Sequence, residues 1–375
     1  MQACDNARQN FPTLEKSTAR ALCSFLNDFV NFVDVVNKHK FYIYYLVVLI
    51  NLFHVIVLTR PSMRTSSINI IMTAVAIADI ISAIYNIHLK IVLILTDIYP
   101  CYSKNLYHNL IILDNCLYCL QDYTRRCSTW LSLSIATIRT LVVRNPMDPK
   151  YEKLSNPKTA VIVIFTICSL CLPTTVLQYF KAGFIENEEA NACKGNEMVD
   201  EYYYRGLSDL FMDNEMLIYN IFFYLEGVTS KLIPCLLYPI ATVFLIIEIR
   251  KAAINRKKIS SSSSSQQDSS GRTTKLIFYL TVIFYIGEFP MAVFYILNPI
   301  LQMSIQWGFY TYLVYFEFLF STLLTATTAI HMPICLLMSS QYKITAKDVI
   351  FGGYQHKLRK SESSVISIRP SSQTR

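Results

Sequence analysis

Apolar side chains run along this chain in long blocks, not in the alternation of a strand or the one-sided stripe of a soluble helix. A helix needs roughly 20 mostly apolar residues to cross a bilayer. Seven blocks reach that length: Phe41–Thr59, Ile68–Ile87, Leu117–Val143, Thr159–Phe180, Met216–Ile249, Thr274–Leu297 and Phe309–Met338. The third carries several charges and the fifth is long. The pattern predicts an all-α membrane protein, a bundle of seven transmembrane helices over residues 40–338.

The polar stretches divide the rest. Residues 1–39 form a segment ahead of the bundle, and residues 339–375 follow it. In the latter, Tyr342, Ala346, Val349 and Ile350 share one helical face opposite Lys343 and Lys347, which predicts a short amphipathic eighth helix on the membrane surface. Ser361–Arg375 is polar and reads as a disordered tail, and Ser260–Ser270 as a disordered, serine-rich insert between the fifth and sixth spans.

Lys and Arg concentrate in alternate loops. Arg60 and Arg64 flank the first connection, Arg144, Lys150, Lys153 and Lys158 the third, and Arg250, Lys251, Arg256, Lys257, Lys258, Arg272 and Lys275 the fifth. The loop Asn298–Trp307 has no basic residue, and acids dominate Lys181–Glu215. Basic loops stay in the cytoplasm, so the N-terminus is expected outside a plasma membrane and the C-terminus inside. The composition agrees: 53% of the 375 residues are hydrophobic and only 16% charged, too few charges for a soluble domain of this size. The formal net charge of +8 is spread over short loops and the tail instead of one basic face, so no nucleic-acid partner is expected. The 11 cysteines include two CxxC spacings, Cys116–Cys119 and Cys168–Cys171, but both fall within apolar runs without a His beside them, so no metal site is expected.

Polar groups inside lipid are costly and point to function. Those noted within the spans are Asn51, Asp79, Asp122, Arg125, Arg126, Ser128, Arg139, Glu288 and Glu317. Asp122 and Arg126 stand four apart and suit an ion pair on one helix face. Arg125 points about a hundred degrees away and needs another partner, with Glu288 and Glu317 as candidates. The set reads equally as a polar network holding helices together and as a pocket for a charged ligand. Pro234, Pro290 and Pro333 fall inside the last three spans and favour kinks there.

These landmarks, in their order, resemble the rhodopsin-like G-protein-coupled receptors, and more closely the nematode serpentine receptor class w, related to FMRFamide and myosuppressin peptide receptors. The resemblance is carried by Asn51-Leu-Phe-His-Val-Ile-Val-Leu-Thr-Arg-Pro-Ser-Met-Arg-Thr-Ser-Ser-Ile-Asn69, Ala78-Asp79, Arg125-Arg126-Cys-Ser-Thr-Trp130-Leu and Ile138-Arg139-Thr140-Leu141. It continues in Lys231-Leu-Ile-Pro234-Cys, Glu288-Phe-Pro290 and Met338-Ser-Ser-Gln-Tyr342-Lys. It implies a polar centre of Asn51 and Asp79, with Ser128 completing a candidate sodium pocket, the one cofactor expected. Arg139 would be the cytoplasmic arginine that meets a heterotrimeric G protein, with Arg144 and Pro146 beside it. Three departures stand out. Ile138 and Thr140 replace the usual acid and aromatic beside Arg139, Met332-Pro333-Ile-Cys-Leu336 lacks the usual Asn and Tyr, and Glu288 stands where a tryptophan is common.

Cys101 and Cys193 are expected to bridge in the oxidising exterior, a bond the resemblance also implies, with Cys116 as the competing partner. Cys4 and Cys23 form a second candidate pair. Above the bundle, Glu186, Glu188, Glu189, Glu197, Asp200 and Glu201 face only Lys194 and Arg205, a rim that attracts a cation. The expected function is therefore a receptor, not an enzyme, for an amidated, FMRFamide-like neuropeptide. Its ligand-binding residues are Asp122, Arg125, Arg126, Glu288 and Glu317, its sixth helix swings outward on activation, and its partners are the peptide, a G protein, arrestin and membrane lipid. The alternatives are a chemosensory receptor for a small environmental molecule, or a membrane transporter, against which the lack of an internal repeat argues.

Overall fold

The computed structural model describes residues 10–99, 103–145, 148–187, 202–259, 265–302 and 307–352. The described chain is helical but for one hairpin and short connections. In order come α1 (Lys16–Leu58), α2 (Ser67–Ile98), α3 (Lys104–Arg144), α4 (Pro157–Lys181), strands β1 (Ala182–Glu186) and β2 (Tyr203–Leu207), and the composite helix α5. Helix α5 joins Asp209–Leu225, a π-helical turn Glu226–Leu232, and Ile233–Ile259. There follow α6 (Ser265–Gln302), α7 (Trp307–Thr328, resuming as His331–Met338) and α8, residues 340–352.

Helices α1, α2, α4, α5, α6 and α7 each contain a stretch long and apolar enough to cross a bilayer. Helix α3 does not, because Asp114, Asp122, Arg125, Arg126 and Arg139 lie along it. It is nevertheless packed against α2, α4, α5, β2 and the short turns between α3 and α4, and so occupies the centre of the bundle. Its charges are spent on neighbouring helices. The outer helices show the opposite pattern: on α4, Phe165 and Leu170 are each 73% exposed, as expected of side chains that face lipid.

The helices outrun the apolar blocks. Helix α1 starts at Lys16, so residues 16–39 are continuous with the first span and not a separate segment. Its outer part packs on α7: Tyr312 Oη donates to the Leu22 carbonyl at 2.6 Å, and Phe11 meets Phe309 edge-on at 5.1 Å. A Cβ at Gly308 would fall 2.4 Å from the Phe11 ring, so only glycine permits this approach. Helix α6 likewise starts early, so residues 265–270 of the serine-rich insert are helical instead of disordered, while 260–264 lie outside the described residues.

Three breaks shape the bundle. In α5, Asn214, Glu215 and Met216 take left-handed φ of 51°, 54° and 58°, so regular helix resumes only where the apolar block begins. The π turn Glu226–Leu232 comes just before Pro234, whose missing N–H leaves the ladder short of a donor. In α7, Pro333 cannot bond the Ala329 carbonyl, and the helix breaks at Ala329–Ile330. Helix α8 docks by Tyr342 and Ala346, buried with Val57, Leu58, Met63 and Cys335, and by Val349. Ile350, expected on that face, is 60% exposed instead.

Candidate functional site

One stretch of α3 binds the bundle together. Asp122 accepts from Gln178 Nε2 of α4 at 2.5 Å. Arg125 donates to Ser321 Oγ at 2.5 Å and Thr325 Oγ1 at 2.6 Å on α7. Arg126 donates to Glu226 Oε2 of α5 at 2.9 Å and to Thr175 Oγ1 of α4 at 2.7 Å. Ser128 donates to Asp79 Oδ1 of α2 at 2.7 Å. Thr129 donates to Glu288 Oε1 of α6 at 3.0 Å, and Lys231 of α5 sits 3.5 Å from the other Glu288 oxygen. From Asp122 to Thr129 the helix thus reaches α2, α4, α5, α6 and α7.

The partners differ from those expected. The i, i+4 pair Asp122–Arg126 does not form, because Glu226 offers Arg126 a carboxylate from across the bundle and Gln178 takes Asp122. Arg125 bonds neither Glu288 nor Glu317 but the hydroxyls of α7. Glu317 lies one turn before Ser321 and within electrostatic reach of Asp122 and Arg125. Among the described residues it forms no ion pair. Gln178 Oε1, in a side chain 1% exposed, is also left without a donor.

Glu226 escaped the sequence reading, and Lys231 entered it only as the first residue of a family block, with no role given to its charge. Glu226 and Lys231, 2% and 5% exposed, both lie in the π turn of α5, which aims one at α3 and the other at α6. The signal was present: two charges within a span that must sit in lipid. Ser230 Oγ also donates to Glu226 at 3.0 Å. Gly227 lies between them, where α5 touches α6; a Cβ there would stand 3.0 Å from Tyr295 Cβ.

Below this layer lie two adjoining cavities of about 60 and 80 Å³. Arg125, Glu288, Ser128 and Thr325 line the first, Asn51 and Arg139 the second, and Asp79, Ser132, Tyr238 and His331 both. Asn51, Asp79 and Ser128 thus line adjoining cavities, and Asn51 and Asp79 do not bond each other. Neither amide atom of Asn51 nor Asp79 Oδ2 has a hydrogen-bond partner. Arg139 faces this cavity near its far end, half-buried. Thr140 beside it donates to the Ala241 carbonyl of α5 at 3.3 Å. Arg144, the last residue of α3, is exposed, and Pro146 lies outside the described residues. The same end is fastened to α8 by His54 Nδ1 and the Tyr342 hydroxyl, 2.7 Å apart.

At the opposite end β1 and β2 pair antiparallel, Phe184 opposite Arg205. Arg205 fixes the hairpin to α3, donating to Asn115 Oδ1 at 2.6 Å, lying 3.7 Å from Asp114 and stacking 4.7 Å above Tyr118. Glu186 of the acidic rim pairs with Lys104. The other rim residues Glu188, Glu189, Glu197, Asp200, Glu201 and Lys194 lie outside the described residues, as do Cys4, Cys101 and Cys193. Cys23 is disulfide-bonded, and Cys116 is a free, exposed thiol.

Comparison with known sequences fits this architecture. The family described as serpentine type 7TM GPCR chemoreceptor Srw matches residues 38–353, from the outer part of α1 past the end of α8. The G-protein coupled receptor dmsr-1 of Caenorhabditis elegans is 25% identical over 215 residues. That alignment covers 56% of this chain and 41% of the relative, so the chain spans about two-fifths of the relative's length.

Proposed function

The chain belongs to the Srw family of serpentine seven-transmembrane G-protein-coupled chemoreceptors, and from that premise we propose that it is a plasma-membrane receptor for an amidated, arginine-containing peptide, with its N-terminus outside. Membership makes it a multi-pass membrane receptor and not an enzyme. The observation that carries the reading is the reach of α3: Arg125, Arg126, Ser128 and Thr129 fasten one turn of it to α2, α4, α5, α6 and α7. A ligand that disturbs this turn acts on the helices that must separate for a G protein to enter, and it shifts their population by binding one arrangement better.

The ligand's cation has acceptors waiting above that turn. Among the described residues Asp122 and Glu317 form no ion pair, although Lys181 lies within electrostatic reach of both, and Gln178 Oε1 has no donor. A guanidinium or ammonium group there would supply the missing donors, and the acidic loop would draw it in. Arg125, Arg126 and Glu288 respond through the bonds they already make. At the other end Arg139, Arg144, Pro146 and the basic ends of α5 and α6 would receive the G protein. Phosphorylated Ser and Thr of the connection before α6 and of the tail would recruit arrestin.

The family's description as chemoreceptors favours a second reading, in which the same turn senses a small environmental molecule. A screen on cells expressing the chain separates the two, with amidated RF-type peptides in one arm and small odorants in the other. Peptide-evoked G-protein activation that Arg139→Ala abolishes and Asp122→Asn weakens is the expected result. A response to odorants alone would replace the peptide reading.

A further inference from the structure

We infer that Arg125 is the fixed internal cation of this receptor, standing in for the sodium ion that its resemblance to rhodopsin-like receptors implies at Asp79. The residues do not fit a metal ion. The charged residues lining the 60 Å³ cavity are Asp79, Glu288 and Arg125. Lys231 at 3.5 Å neutralises Glu288, which leaves one carboxylate, Asp79, and one guanidinium, Arg125. The charges around the cavity already sum to zero. A further cation would make it positive in a low-dielectric interior, and Arg139 on the adjoining cavity adds to that repulsion.

The oxygens are also committed. A sodium ion takes carboxylate, hydroxyl and carbonyl oxygens, and α7 would have to contribute some of them. The Arg125 fork occupies Ser321 Oγ and Thr325 Oγ1, with the Ser321 carbonyl at 3.4 Å. Asp79 Oδ1 is held by Ser128 at 2.7 Å. What is left, Asp79 Oδ2 and the Asn51 amide, suits water in a polar cavity of this size. A tethered guanidinium does for α3 and α7 what a diffusible ion does elsewhere: it bridges the helices and screens a buried carboxylate. Because it cannot leave, the receptor's resting state is independent of sodium.

The test is thermal unfolding of the purified full chain in NaCl, KCl and choline chloride at equal ionic strength, which needs no ligand and so stands apart from the peptide assay. The wild-type unfolding temperature is expected to be the same in all three salts. Arg125→Gln, which keeps a polar side chain but opens a charge deficit, is expected to gain a saturable, sodium-specific rise. Asp79→Asn in the same background should abolish that rise. Arg125→Lys should stay insensitive. A sodium-specific rise in the wild type, lost in Asp79→Asn, overturns the inference, and so does an Arg125→Gln protein that remains insensitive. Should Arg125→Gln fail to fold, the wild-type and Arg125→Lys comparisons decide it.

Discussion

Arg126 and Glu226 are 1% and 2% exposed, so neither charge has water to fall back on when the other is removed. Breaking a buried pair from one side costs about 3–5 kcal/mol, whereas replacing both partners by apolar groups of similar volume is close to neutral. Glu226→Ala should therefore lower the unfolding temperature of the detergent-solubilised protein sharply. Arg126→Met combined with Glu226→Leu should recover most of the loss. Equal losses from the single and the double change would show that the pair is not the stabilising unit. Lys231→Met should behave like Glu226→Ala, because it strands Glu288. The sequence made Arg126 visible but not its partner. The i, i+4 rule sees one helix at a time, and Asp122 satisfied it; Glu226 is 100 residues away, in a run whose apolar average conceals it. Arg125 was misjudged for a related reason, since serine and threonine in a transmembrane helix look like filler until their hydroxyls are seen to meet a guanidinium.

The π turn of α5 decides where Glu226 and Lys231 point, and it is held by the contact of Gly227 with α6. A methyl group at that position would stand 3.0 Å from Tyr295 Cβ and 3.3 Å from Ile296 Cγ1, and both belong to a packed helix that cannot give way cheaply. Gly227→Ala is expected to cost about 1–3 kcal/mol by overpacking and to weaken signalling through the displaced Lys231–Glu288 contact. Unchanged unfolding and signalling would mean that α5 and α6 are not in tight contact at Gly227. The docking of α8 offers a second measurement: Tyr342→Phe removes the hydroxyl bonded to His54 and should cost about 1–3 kcal/mol for the buried group left unpaired. A cysteine placed at Val349 should then become more reactive to a water-soluble maleimide. Six spans were legible because the hydrocarbon thickness selects their length, and the third from its length and its place in the series, in spite of its charges. Their ends were not. Helix α1 has 43 residues, about 64 Å at 1.5 Å per residue, and hydropathy cannot see the half that lies beyond the lipid. The π turn was hidden too, since it leaves no mark on the length or hydropathy of an apolar block and only Pro234 hinted at the disturbance.

Seen whole, the molecule is a ring of apolar helices around a charged one. Helix α3 fails the hydropathy test that the other six pass, because Asp122, Arg125 and Arg126 sit at its middle, where each isolated charge costs about 2.5–3.5 kcal/mol to insert. Its place in the bilayer must come from its neighbours: Glu226 for Arg126, Ser321 and Thr325 for Arg125, Gln178 for Asp122. The partners on α5 and α7 are made after α3, so the third span cannot be fully satisfied until most of the chain has been synthesised. In a glycosylation-mapped insertion assay, α3 taken alone between reporter sites should largely fail to span. The α1–α4 fragment should insert it partially, because α4 supplies Gln178 and Thr175. The full chain should insert it completely, and Glu226→Ala combined with Ser321→Ala should bring back the failure. If α3 inserts efficiently alone, its charges are tolerated by snorkelling or local thinning of the bilayer, and the bonds radiating from it would be a consequence of the fold instead of a condition for it. Efficient insertion only with α5 and α7 present would tie the receptor's topology to the same contacts through which it is proposed to signal.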